Sequence, residues 1–208
     1  MFEVLIRGGV LMIPIAVCSV IAVAIIIEKT IKLRIARATS RAFLFRIQNS
    51  LRLNRIDEAQ RACEMASGPV AAIFRAGLAR ATQTEERIRQ AIQEAGEKEI
   101  SILERHVGTL GTLAGGAPLL GFLGTVVGMI RAFQQIEKLG GNVNASVLAG
   151  GIWQALLTTA AGLAVGLVCF FAHNYFVGRI KFIVREMEER SSELIETLTN
   201  NGGEGDEA

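Results

Sequence analysis

The chain has 208 residues, half of them hydrophobic and only a fifth charged, with a mean hydropathy of +0.39. Soluble domains of this length usually fall below zero on that scale, so the balance points to a membrane protein. The 22 Lys and Arg against 20 Asp and Glu leave a net charge of +2, which is no electrostatic footprint for nucleic acid.

A spanning helix needs about 20 mostly apolar residues, because ~30 Å of hydrocarbon is crossed at ~1.5 Å per residue. The charge-free intervals therefore set the elements. The first, residues 8–27, predicts transmembrane helix 1 behind a seven-residue N-terminus. Its Ile/Val/Leu bulk, with Pro14 near one end, suits a lipid-facing helix. The small-x-small run Ala22-Val23-Ala24 also fits a signal-peptide cleavage site. Against that reading, Lys29, Lys32, Arg34, Arg37, Arg41 and Arg46 follow the span, and such a basic segment resists export.

Residues 28–105 read as a helical region without strand-like alternation. Asn54 with Asp57, and Thr82 with Glu85, are N-cap patterns, and Pro69 after Ser67-Gly68 suits a first-turn proline. From Glu85 onward, Ile88, Ala91, Ile92, Ala95, Ile102 and Leu103 recur at helical spacing. No breaker follows, so one unbroken helix is expected to run into transmembrane helix 2, residues 106–136. Residues 137–146 form a short loop whose Gly140–Ser146 stretch reads as a turn. Transmembrane helix 3, residues 147–178, should continue as a helix over 179–199 with Phe176, Ile180, Val184, Met187, Leu194 and Leu198 as an apolar stripe. Packing within the chain is the plainer reading of both stripes, and a subunit interface is the alternative. The Gly- and acid-rich tail, 200–208, is expected to be disordered.

The fold class is thus an all-α membrane protein with three transmembrane helices and long helical cytoplasmic extensions. The basic segment after helix 1 belongs in the cytoplasm by the positive-inside rule. That places the N-terminus and the 137–146 loop outside and the C-terminus inside. So thin a set of helices lacks an interior of its own, which implies oligomerisation within the lipid.

Helices 2 and 3 are rich in glycine. Gly124-x-x-x-Gly128 and Gly162-x-x-x-Gly166 are small-residue seams that let helices touch, with Pro118 also in helix 2. Polar residues are more telling. Thr125 lies in helix 2, and Gln154, Thr158 and Thr159 lie in helix 3. A glutamine in hydrocarbon must find partners, in protein or along a water-filled path. Each threonine can equally bond back to its own helix. Gln154 and Thr158 share a face. No Asp or Glu lies within any of the three charge-free intervals. A device that moves protons through these spans would need its titrating carboxylate from another chain. Cys18, Cys63 and Cys169 lie far apart, and His106 and His173 are isolated. That pattern suits packing cysteines and predicts neither disulfides nor a metal site. With no nucleophile–base pair and no phosphate loop, neither an enzyme nor a cofactor is expected.

Two stretches carry a resemblance. Residues 117–133, APLLGFLGTVVGMIRAF, followed by residues 151–163, GIWQALLTTAAGL, resemble the MotA/TolQ/ExbB family, and within it ExbB and TolQ most. Residues 67–78, SGPVAAIFRAGL, also look like that family's cytoplasmic region. The resemblance implies a pentameric inner-membrane ring around the transmembrane helices of an ExbD/TolR-like dimer that carries the titrating aspartate. It further implies that proton motive force becomes mechanical work, delivered through a TonB-like protein to outer-membrane transport. Thr125 and Thr159 match the family's pore-lining threonines, and Pro118 matches the proline opening the helix 2 motif. Position 154 departs: the ExbB and TolQ pattern has a glutamate there, and glutamine cannot titrate. A non-conducting scaffold for partner helices and a sodium-driven relative are the alternatives.

Overall fold

The computed structural model describes residues 9–36, 41–53, 55–138 and 145–203. All of its elements among these residues are helices. They are α1 (Met12–Ala36), α2 (Arg41–Arg52), α3 (Ile56–Met65), α4 (Pro69–Leu78), α5 (Glu85–Glu104), α6 (Val107–Lys138) and α7 (Ala145–Gly203). Three stretches among the described residues are long and apolar enough to cross a membrane: Met12–Arg34, Glu85–Lys138 and Ala149–Thr199. The chain divides into two compact units, one of Met1–Glu28 with His106–Phe176, the other of Lys29–Arg105 with Val177–Ala208.

In the first unit, α6 and α7 lie antiparallel and very close. Gly128 faces Ala155, Gly151 faces Ala132, and Gly166 faces Pro118. A Cβ on Gly162 would stand 2.5 Å from the Ala117 carbonyl oxygen and 2.9 Å from Gly121 Cα. Backbone meets backbone there, which only glycine permits. Along α1, Met12, Ile15, Ala22 and Ile25 are buried, while Val17, Val20, Val23 and Ile27 are exposed. That one-sided burial leaves an outward apolar face for lipid or protein.

In the second unit, the short apolar α4 forms the centre. Val70, Ala71, Ile73, Phe74, Gly77 and Leu78 are all buried. Gly77 lies against Ile92 of α5 and Leu194 of α7, and Gly96 lies near Ile73 and Met187. Both stripes read from sequence point largely inward: Ile88, Ile92 and Leu103 are buried in α5, and Ile180, Met187, Leu194 and Leu198 in α7. α2 and α3 add Ile47, Leu51, Ala59 and Cys63, and Phe43 meets Phe74 edge to face at 6.5 Å. Burial pushes the Cys63 thiol up to about 12, against smaller opposing and reinforcing effects of Arg75 and Glu64.

The structure departs from the sequence expectations in several places. The expected unbroken helix into span two is interrupted at Arg105–His106, between α5 and α6. His106 takes φ +66°, a left-handed conformation that a helix interior cannot hold. The interruption is stabilised by charges on α1. Lys29, fully buried, donates from Nζ to the carbonyls of Leu103 at 2.8 Å and Ile102 at 3.3 Å. A cation is favoured there by the negative end of the helix dipole. Glu28 pairs with His106 Nδ1 at 3.4 Å. The N-cap of α5 is Thr84 rather than Thr82, and its side chain makes no capping bond. Pro69 does open α4, behind a Gly68 at φ +116°. The tail is helical as far as Gly203, so residues 200–203 are not the disordered segment expected. The N-terminus 1–7, the Asn54 cap, residues 140–144 of the expected turn and residues 204–208 fall outside the described residues. Ala145 and Ser146 already belong to α7.

Candidate functional site

The polar residues of α6 and α7 are positioned by the glycine seam. Because Gly121 and Gly124 lack side chains, the α7 backbone can approach until the Thr159 hydroxyl reaches across. Thr159 Oγ1 donates to the Gly121 carbonyl at 2.9 Å. That bond joins the two helices at their closest approach, where a Cβ on Gly121 would be 3.0 Å from the Thr158 carbonyl oxygen. Thr158 is buried and its methyl and hydroxyl lie directly over Gly124. Its Oγ1 bonds back to Ala155 O at 2.8 Å and Gln154 O at 3.3 Å. Thr125 is half-buried and donates to the Phe122 carbonyl at 2.6 Å.

These bonds decide what each hydroxyl can do. All three donate their proton to a carbonyl, which leaves the oxygen lone pairs as acceptors. A threonine so placed can receive a hydrogen bond from a water or a proton carrier without being itself a source of protons. Thr158 is enclosed between helices of its own chain, whereas Thr125 and Thr159 keep partial exposure.

Gln154 lies elsewhere. It and Thr158, one turn apart, line a cavity of about 20 Å³ with Val10, Leu11, Gly124, Val127, Gly128 and Arg131. That volume holds a single water. Gly9, at φ +72°, sits over the same place, so close that a Cβ there would collide with Gln154 Nε2 and approach Arg131 Nη1 to 3.8 Å. The turn that precedes α1 and the helices α6 and α7 therefore meet at one pocket whose polar lining is an amide, a hydroxyl and a guanidinium. Thr125 and Thr159 are not part of its lining. Of the four polar residues singled out from sequence, Gln154 and Thr158 line the pocket, Thr159 bridges the helix-to-helix seam, and Thr125 bonds back to its own helix. The glycines singled out, with Pro118, all lie on the α6–α7 seam.

Sequence reasoning missed Arg131 and Gly9. Arg131 entered only as the charge that bounds an apolar interval, and Gly9 only as part of another. His173 was read as isolated, yet its Nδ1 meets the Val107 carbonyl at 3.0 Å and its ring packs on Gly111. No local pattern announces such contacts, since the Val107 partner of His173 is 66 residues away in the chain.

Comparison with known proteins bears on the whole chain. Residues 65–189 match the model of the MotA/TolQ/ExbB proton channel family. An ExbB homolog described as a biopolymer transport protein, from Methanothermobacter thermautotrophicus, is 31% identical over 196 residues, 94% of this chain and 67% of that protein. The biopolymer transport protein ExbB-like 3 of Synechocystis is 30% identical over 171 residues, 81% of each chain. The Tol-Pal system protein TolQ of Haemophilus influenzae is 31% identical over 110 residues, covering 53% of this chain and 46% of that one. The family model spans the α4–α7 region that builds the seam, and the first of these relatives aligns over nearly the full length. The chain is a membrane protein that belongs to the MotA/TolQ/ExbB proton channel family.

Proposed function

We propose that this chain is the ring-forming subunit of an ion-driven motor in the cytoplasmic membrane, with its N-terminus outside and its C-terminus in the cytoplasm. An ExbD/TolR-like dimer supplies the titrating aspartate. The complex converts proton motive force into mechanical work, passed through a TonB-like protein to outer-membrane transport. The observation that carries this reading is the pair α6–α7. It presents threonine oxygens as acceptors along a seam without carboxylates, which is what a borrowed proton carrier needs beside it. Each charge that crosses is worth ~2.3 kcal/mol per 100 mV, so a few protons can drive a conformational step.

Expression with an ExbD-type partner in a strain lacking its own ExbB should restore proton-motive-force-dependent uptake. Failure with normal expression and assembly overturns the reading. Thr125→Ala and Thr159→Ala should impair uptake while the assembly stays intact. Thr159→Ser, which keeps the hydroxyl that reaches Gly121, should retain activity.

Gln154 favours a second reading, a non-conducting scaffold, because an amide cannot take up and release a proton. Proton flux through liposomes bearing the unmodified complex excludes the scaffold. Flux seen only with Gln154→Glu favours it.

A further inference from the structure

Two unlike faces of the second unit are open among its described residues. The first is a groove between α5 and the C-terminal half of α7. It consists of two adjoining cavities of about 360 and 370 Å³ that share Arg89, Ser192 and Ile195. Its floor is apolar, with Ile73, Ile92 and Met187. Its walls carry Glu97 and Glu188 along one cavity and Glu85 and Glu196 along the other. Arg89, the base on these walls, is held by Glu85 at 2.7 Å. From Glu85 to Ile100 the groove follows α5 for about 22 Å, at ~1.5 Å per residue, which is room for a helix of about four turns.

The second face is the outer side of α2. Ile47, Ser50 and Leu51 turn inward and are buried, whereas Phe45 is 73% exposed and Leu53, just past the helix end, 55%. Arg46 and Arg52 are exposed beside them, and Phe45 and Arg52, seven residues apart, share a face of the helix. No acid occurs from Lys29 to Ile56. α2 is therefore cationic with an exposed aromatic centre, the complement of a groove that is acidic with an apolar floor. Aromatic residues, phenylalanine included, and arginine are enriched at the cores of protein contacts.

We propose that α2 of one copy seats in the α5–α7 groove of the next, with Phe45 and Leu53 on the apolar floor and Arg46 and Arg52 against the glutamate walls. The two faces are different surfaces, so the contact is head-to-tail, and its repetition builds a ring when the rotation closes. It holds whether or not the assembly conducts ions, and its test uses no ion gradient.

The test is disulfide trapping in the full-length chain, with the native cysteines left in place and the parent chain as control. Phe45→Cys and Ser192→Cys, combined in one chain, should give an oxidation ladder of dimers and higher species. The two single variants co-expressed should give dimers, and either one alone none. Arg46→Glu with Arg52→Glu should lower the ladder yield roughly fivefold or more, and adding Glu188→Arg with Glu196→Arg should restore it. Absence of a ladder, a cross-link confined to one chain, or a ladder indifferent to charge reversal each overturns the proposal. So does charge-dependent binding of α2 to phosphatidylglycerol vesicles in a variant pair that forms no ladder, which would assign this face to lipid.

Discussion

Gly162→Ala isolates the contact on which the α6–α7 pair depends. The added methyl carbon would stand 2.5 Å from the Ala117 carbonyl oxygen, 2.9 Å from Gly121 Cα and 3.0 Å from Gly121 N. All three neighbours are backbone, so none can rotate away. Ordinary contact begins near 3.4 Å, and the helices must separate locally by about 0.9 Å to reach it. The Thr159 hydroxyl, 2.9 Å from Gly121 O, then loses its partner. Overpacking costs roughly 1–3 kcal/mol and loss of this part-buried hydrogen bond about 1 kcal/mol more. A destabilisation of about 2–4 kcal/mol is expected. Reversible unfolding of the detergent-dispersed protein in mixed micelles measures it. Gly116→Ala is the control, because its methyl would meet open space and alanine is a better helix former by up to ~1 kcal/mol. An unfolding free energy for Gly162→Ala within about 0.5 kcal/mol of the parent, the spread expected of an indifferent surface change, refutes the close-contact reasoning. So does equal damage by the control.

Three further outcomes are expected. Gly124→Ala should be destabilising because Thr158 occupies the space, and Gly124→Ala with Thr158→Ala should recover part of the loss, with a coupling of about 1 kcal/mol or more in a double-mutant cycle. Lys29→Met removes the donor to the Ile102 and Leu103 carbonyls and should cost roughly 1–3 kcal/mol, read as faster amide exchange over the last turn of α5. Cys63 should resist thiol reagents at neutral pH in the folded protein, since its pKa is pushed up to about 12. Because the folded state holds this proton more tightly than the unfolded one, stability contributed by the thiol is present below about 9 and declines as pH rises toward 12. A flat alkaline unfolding profile would contradict that.

The helices of the fold were legible where composition alone decides them. Long charge-free intervals can only be buried or in lipid, and the stripes of α5 and α7 follow a period that no strand shares. The break at His106 was not legible. No glycine or proline marks it, and the stabilising partners Glu28 and Lys29 lie more than 70 residues away in the chain. The threonines and glycines of the candidate site stood out because polar or flexible residues are costly in a membrane helix. Their division was hidden, since a turn of about 100° between Thr158 and Thr159 separates a residue sealed over Gly124 from one that bridges to Gly121. Gly9 and Arg131 became informative only with Gln154 placed between them.

Lys29 also carries a consequence for how the chain is made. Its carbonyl partners are 73 and 74 residues downstream, so at ~5–20 residues per second they emerge roughly 4–15 seconds after it. During that interval the two carbonyls that it caps have not yet been made. A cation just past the apolar stretch of a newly inserted helix resists being drawn into the bilayer. The same side chain thus acts first as a brake that fixes the depth of the nascent helix. It becomes an internal tie only when the polypeptide returns to the membrane.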